Sequence, residues 1–126
     1  KVKQNKILIV EDESSLLAVL DKKLTNEGYL VVTGKDGVMG LEVALKEHPD
    51  LILLDIIMPK MDGVSMLEKL REDAWGKDVP VIMLTNLTDS EQIFKTQDKD
   101  VREYLIKTDW KLEDVVKVVE KNLREK

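Results

Sequence analysis

The chain has no cysteine and a single histidine, His48, which excludes disulfides, thiolate nucleophiles and histidine or cysteine metal clusters. Any chemistry must therefore come from carboxylates, hydroxyls and ammonium groups. Four short segments offer these at the end of an apolar run. Val10 is followed by Glu11-Asp12-Glu13, Leu54 by Asp55, Leu84 by Thr85-Asn86, and Ile106 by Lys107-Thr108. Singly, such an acid is more often a turn former or helix cap, and a lone lysine is usually just solvated. As a set they mean more. Three carboxylates brought together repel, raise one another's pKa and cost stability unless a cation joins them. A hard divalent ion, Mg²⁺ or Mn²⁺, suits oxygen donors and binds well with one or two carboxylates plus water and phosphate. Lys107 cannot ligate a metal but can pair with phosphoryl oxygens, and the Thr85 hydroxyl can hydrogen-bond another. These are parts for handling phosphate on a carboxylate, a transfer that relies on positioning and charge neutralisation.

The elements that must position these groups alternate in kind. Ile7-Leu8-Ile9-Val10, Leu30-Val31-Val32, Leu51-Ile52-Leu53-Leu54 and Val81-Ile82-Met83-Leu84 are short continuous apolar runs, with a weaker fifth at Tyr104-Leu105-Ile106. Such runs suit strands covered on both faces. Helical periodicity fills the gaps between them. Leu16, Leu17, Leu20 and Leu24 share one face and end at Gly28, a helix-terminating glycine. Leu41, Ala44 and Leu45 mark a second helix, and Val64, Leu67 and Leu70 a third. Thr88-Asp89-Ser90-Glu91 reads as a capping box before Ile93 and Phe94. Leu112, Val115, Val116, Val119 and Leu123 form a fifth helical stripe. Five βα units with right-handed crossovers predict an α/β fold, an open parallel sheet with helices on both faces. In such sheets ligands bind at the carboxyl ends of the strands, where the acids, hydroxyl and ammonium lie.

Composition agrees. With 126 residues, 43% hydrophobic and 36% charged, a packed core with a solvated surface is expected over residues 1–126 as one domain. Twenty basic residues against 25 acidic give a net charge of −5, and the basic residues form no patch, so nucleic-acid binding is not expected. No apolar run approaches the length of a membrane span. Lys1 to Lys6 leads into only four apolar residues, unlike a secretory leader, so a cytoplasmic protein is expected.

At this level of detail the chain resembles the response-regulator receiver domains, the CheY-like proteins of two-component signalling. The residues that carry the resemblance are Ile7-Leu8-Ile9-Val10-Glu11-Asp12, the long run from Pro49 through Asp55-Ile56-Ile57-Met58-Pro59-Lys60 to Met61-Asp62-Gly63, then Thr85, and Tyr104-Leu105-Ile106-Lys107. The resemblance implies a flavodoxin-like (βα)5 sheet of order 2-1-3-4-5. It also implies a phosphoacceptor role for Asp55, with Glu11, Asp12, Asp55 and the backbone carbonyl of Ile57 around the metal, Asp12 ligating directly and Glu11 through water. Thr85 and Lys107 would contact the phosphoryl group, and Tyr104 would report the state of Thr85 through its rotamer. The implied partners are a histidine kinase or histidine phosphotransfer protein and an output partner or domain, with the face of the fourth helix, fifth strand and fifth helix as the readout. A monomer or a phosphorylation-dependent dimer is implied, acting as a phosphoacceptor and not a turnover enzyme.

Competing readings are weaker. A phosphohydrolase of the haloacid dehalogenase type needs a second acid two residues after its nucleophile, where this chain has Ile57. A flavodoxin-like cofactor protein would place phosphate where Glu11-Asp12-Glu13 would repel it. The alternative within the family is an interaction module that no longer switches by phosphorylation. Two departures bear on it: Asn86 where a smaller residue is usual, and Thr108 where proline is usual, which removes the expectation of a cis bond. His48 is expected at the far end of the third strand and is not a phosphate carrier. Asp62 is expected to cap the third helix, Met61, Met66 and Met83 to pack, and Trp75 to lie in a polar loop without a role. The fourth helix departs most. Gln97 and Asp98 interrupt its stripe, and Asp100-Val101 stands where a Gly-Ala pair is usual, so residues 95–101 are expected to be short, irregular or mobile, with Ile93 and Phe94 as the anchors.

Overall fold

A computed structural model describes residues 4–86 and 88–124. The elements alternate strictly: β1 (Lys6–Val10), α1 (Ser14–Asn26), β2 (Leu30–Gly34), α2 (Gly37–Glu47), β3 (Leu51–Asp55), α3 (Gly63–Glu72), β4 (Val81–Thr85), α4 (Ser90–Thr96), β5 (Val101–Ile106) and α5 (Leu112–Arg124). The five strands form one parallel sheet in the order β2-β1-β3-β4-β5. Chain order thus reverses at β1, and the carboxyl ends of β1 and β3 lie side by side.

Why the strand runs are continuously apolar is plain from the two cores. Ile7, Ile9, Leu51, Leu53, Ile82 and Leu84 face one way and pack against Leu17, Leu20 and Leu24 of α1 and Val115, Val116 and Val119 of α5. Their neighbours Leu8, Val10, Ile52, Leu54, Val81 and Met83 face the other way, against α2 and α3. A strand with helices over both faces has no polar side. The central strands β3 and β4 are buried along their whole length, whereas the edge strand β5 is half-buried throughout, which is why its sequence signal is weak.

Local chemistry sets the helix ends. After α1, the Tyr29 and Gly28 amides donate to Leu24 and Thr25 carbonyls, the bonding pattern that stops a helix at glycine. Asp62 caps α3 by accepting from the Ser65 amide at 2.8 Å, as expected. The interior face of α2 differs from the expectation. Gly37, Gly40 and Ala44 are its buried residues, while Leu45 is 39% exposed. A Cβ on Gly40 would lie 2.7 Å from a Val10 methyl, so small residues let this helix sit directly on β1.

The fourth helix is corrected at three points. The capping box is not made: Ser90 is the first helical residue, and the Asp89 carboxylate accepts instead from the Asn86 amide at 2.7 Å. Phe94 is 78% exposed and anchors nothing, while Thr96 is fully buried. Val101 belongs to β5 and pairs with Val81, so the irregular stretch ends at Asp100. The helix is short, seven residues, and Asp100 takes a left-handed φ of 57°, which costs a non-glycine residue about 1–2 kcal/mol. Arg71 of α3 offsets this. Its guanidinium donates to the Lys99 and Asp100 carbonyls at 2.8 and 3.0 Å and to those of Gly76 and Val79 at 2.8 Å. Of the two expected anchors only Ile93 packs against the core, and polar bonds from α3 hold the turn that follows.

Candidate functional site

Glu11 and Asp55 arrive at the rim by continuing their strands. The Glu11 amide donates to Gly34 at 3.0 Å, extending the β1–β2 ladder by one residue. Its carboxylate turns inward, is fully buried, and accepts from the Glu13 amide at 3.0 Å. Asp55 is the last residue of β3 and 1% exposed. Gly63 backs it closely: a Cβ there would sit 2.2 Å from the Asp55 carbonyl oxygen, and the Gly63 amide donates to Ile56 at 2.7 Å. Only glycine permits that approach. Thr85 ends β4, one residue beyond the partner of Asp55 in the ladder. The Lys107 amide donates to the Thr85 carbonyl at 2.7 Å, which fixes the lysine beside the acids.

The side chains converge. One oxygen each from Glu11, Asp12 and Asp55 lies within 4.8 Å of the others, with Asp12 exposed and the other two buried. Lys107 Nζ lies 3.0 Å from Asp55 Oδ2, 3.0 Å from Glu11 Oε1 and 3.2 Å from Glu11 Oε2. Only the last contact has hydrogen-bond geometry. Glu11 Oε1 and Asp55 Oδ2 are paired by charge alone, and together with the Thr85 hydroxyl they are buried atoms without a hydrogen bond. Burial, then the Glu11 carboxylate, pushes Asp55 up to about 7, against the pull of Lys107. Burial alone would lower Lys107, but its contacts with Glu11 and Asp55 outweigh it and raise the ammonium above the usual lysine value.

With all three acids ionised, one ammonium leaves two negative charges uncompensated. Buried carboxylate oxygens that lack hydrogen bonds, three acids from two adjacent strand ends and an open exposed side fit a hard dication. Ile57, two residues past Asp55, is 48% exposed and lies on that rim.

The expected site residues Glu11, Asp12, Asp55, Thr85 and Lys107 are therefore brought together. Tyr104 stands opposite Met83, two pairs back from Thr85 and Ile106 on the β4–β5 ladder. Asn86 is exposed, and every described peptide bond is trans, Lys107–Thr108 included. His48 caps α2 with a φ of 48°, at the other end of the sheet, as expected. Trp75 does have a role, because its ring stacks on His48 with centroids 4.3 Å apart and packs against the core. Sequence reasoning missed three polar residues. Asp36 caps α2 through the Met39 amide, Arg71 staples the turn after α4, and Thr96 hydrogen-bonds the Tyr104 hydroxyl at 2.6 Å. An acid before a helical stripe could have flagged Asp36; nothing local marks the other two.

The family model described as "Response regulator receiver domain" matches residues 7–120. The chain belongs to the response-regulator receiver domains. Among curated relatives, it is 36% identical over 106 residues to a "Probable transcriptional regulator ycf27" of Porphyridium aerugineum, covering 84% of this chain and 43% of that protein. It is 42% identical over 82 residues to the "Response regulator PleD" of Caulobacter vibrioides, covering 65% of this chain and 18% of that protein. This receiver thus spans less than half the length of those relatives. Among solved structures, a CheY-like receiver domain protein of Methanospirillum hungatei superposes with a TM-score of 0.90 at 27% identity, covering 98% of this chain and 96% of that one. The receiver domain of the sensor histidine kinase PA1611 of Pseudomonas aeruginosa, described with a magnesium ion coordinated in its active-site cleft, superposes at 0.86 with 27% identity, covering 96% and 98%.

Proposed function

We propose that this receiver is a phosphorylation-operated switch that accepts a phosphoryl group on Asp55 from a histidine kinase or histidine phosphotransfer protein. The observation that carries the reading is the Lys107 ammonium, 3.0 Å from Asp55 Oδ2 within a buried acidic cluster. An ionised Asp55 oxygen attacks phosphorus, the bond from phosphorus to the donor breaks, and the donor nitrogen or oxygen leaves with the electron pair. Lys107 neutralises charge on the incoming group, and the unpartnered Thr85 hydroxyl offers it a hydrogen bond. Glu11, Asp12 and Asp55, with the Ile57 carbonyl, are the groups that would hold Mg²⁺ or Mn²⁺, whose chemistry is to neutralise the transferring phosphoryl oxygens. The magnesium described for the PA1611 receiver supports that choice. The domain assists its own phosphorylation and dephosphorylation and turns over no separate substrate. Movement of Thr85 and Tyr104 passes the state to the face of α4, β5 and α5, where an output partner, an attached domain or a second copy reads it. A net charge of −5 with basic residues scattered along the sequence argues against direct nucleic-acid binding. No described helix is long and apolar enough to cross a membrane, and a cytoplasmic setting suits a kinase-fed switch.

Mass spectrometry after incubation with acetyl phosphate and Mg²⁺ tests the reading. One phosphoryl group on the wild-type protein and none on Asp55→Asn is expected. Modification that persists in Asp55→Asn overturns the assignment, and a wild type that stays unmodified leaves the non-switching interaction module.

A further inference from the structure

Thr96 is a fully buried hydroxyl on the last turn of α4. Its Oγ1 lies 2.7 Å from the Ile93 carbonyl, to which it donates, and 2.6 Å from the Tyr104 phenol oxygen. A threonine hydroxyl has one proton. With that proton on Ile93, Tyr104 must be the donor in the second bond. The phenol proton is therefore committed to the end of α4.

Where this bond points matters. Thr85, Met83 and Tyr104 face the same side of the sheet, since Met83 pairs with Tyr104 and Thr85 with Ile106. α4 starts just beyond the carboxyl end of β4 and runs back, a length of about 10 Å for seven residues. Thr96 is thus at the end of α4 remote from Thr85. A ring that moves toward the space beside Thr85 has to leave Thr96 behind. Meanwhile the buried Thr85 hydroxyl has no partner in this arrangement, so nothing on its side resists movement toward a phosphoryl group. The resistance lies at the other end.

We propose that Thr96 is a positioning residue for the switch: its hydrogen bond holds Tyr104 in the arrangement seen here, so that occupying Asp55 must also break it and takes more of the phosphoryl group to achieve. The inference rests on Asp55 being the phosphoacceptor. A hydroxyl serving only to finish the helix would need Ile93 alone, and its loss would leave the ring and the switch untouched.

The test uses the full 126-residue chain given by the sequence, with Mg²⁺ and beryllofluoride as phosphoryl mimic. Occupancy of Asp55 is followed by fluorine NMR and the Tyr104 ring by carbon-13 tyrosine NMR, with Tyr104→Phe identifying its signal. Thr96→Val keeps the shape and removes the hydroxyl, whereas Thr96→Ser restores it. Thr96→Val and Tyr104→Phe should each lower the half-saturating beryllofluoride concentration roughly fivefold, the scale of one buried hydrogen bond. Thr96→Ser should match the wild type, and the double variant should go no lower than either single one. In Thr96→Val the Tyr104 ring signal should already shift without the mimic. A midpoint unchanged or raised in Thr96→Val, or additive effects in the double variant, overturns the role of Thr96 while leaving the Asp55 reading intact. If Thr96→Val does not fold, an unchanged midpoint in Tyr104→Phe overturns it equally. Failure of the wild type itself to bind beryllofluoride at Asp55 overturns both.

Discussion

Asp55 is a buried carboxylate whose charge the metal-free fold resists. The folded protein keeps its proton up to about pH 7, whereas a carboxylate in the unfolded chain loses it near the ordinary value of 3.8. Between those values the folded state binds the extra proton, so stability is greatest at the acid end of the window and falls as pH rises through 7. Asp55→Asn removes that loss. At pH 8 without metal it should melt higher by about 1–2 kcal/mol, roughly 4–8 °C, with little gain at pH 5; equal gains at both would contradict the placement of this proton. Lys107→Ala should act in the opposite sense, leaving Glu11 and Asp55 without their cation. The cost should reach about 3 kcal/mol at pH 8 and shrink at pH 5, where Asp55 takes up a proton instead. Asp12, exposed beside these two, should matter little to folding. In Asp12→Ala, calorimetric Mg²⁺ affinity should drop at least tenfold, while metal-free stability holds or rises by up to about 0.5 kcal/mol as repulsion is relieved.

Among the helices, α4 has a threonine as its buried residue and Ile93 as its apolar contact with the core. Phe94 is 78% exposed, so Phe94→Ser should change urea stability by no more than about 0.5 kcal/mol. Arg71 is different. Its four bonds to carbonyls reach the loop before β4 and the turn after α4 at once, so Arg71→Ala should cost about 2–3 kcal/mol and speed amide exchange over residues 97–100. In the same turn, Asp100→Gly relieves a left-handed φ and should gain about 1 kcal/mol. A loss there in urea titration would mean that the Asp100 side chain does more than its backbone angle shows. Even in the wild type, amide exchange over residues 95–99 should be faster than in α5, whose Val115, Val116, Val119 and Asn122 are buried.

Across the whole molecule, what could be read in the sequence was whatever announces itself locally. Continuous apolar runs mark strands covered twice, and the functional residues follow those runs at once, so sheet and site emerge together. The missed features are tertiary. The α2 interface sets Gly37 and Gly40 beside the expected Ala44, and a search for apolar side chains passes over those two glycines in favour of the half-exposed Leu45. Thr88 and Glu91 have the spacing of a capping box, but the helix starts later, at Ser90, and the Asp89 carboxylate before it is taken by the Asn86 amide. Arg71 and Thr96 act on partners that only folding brings near, as does Trp75 on His48. That last pair has a practical use. The chain has two tryptophans, and the fold sends them to opposite poles. Trp75 stacks on His48 below the amino end of β3, away from Asp55. Trp110 follows Lys107 by three residues and packs against the core shared by α1 and α5, its indole N–H buried without an acceptor. Replacing one indole at a time therefore separates two reporters: a Trp75→Phe chain glows from Trp110 alone and should change its emission when a phosphoryl mimic reaches the acidic rim, while a Trp110→Phe chain, lit only from the far pole, should stay dark to that event.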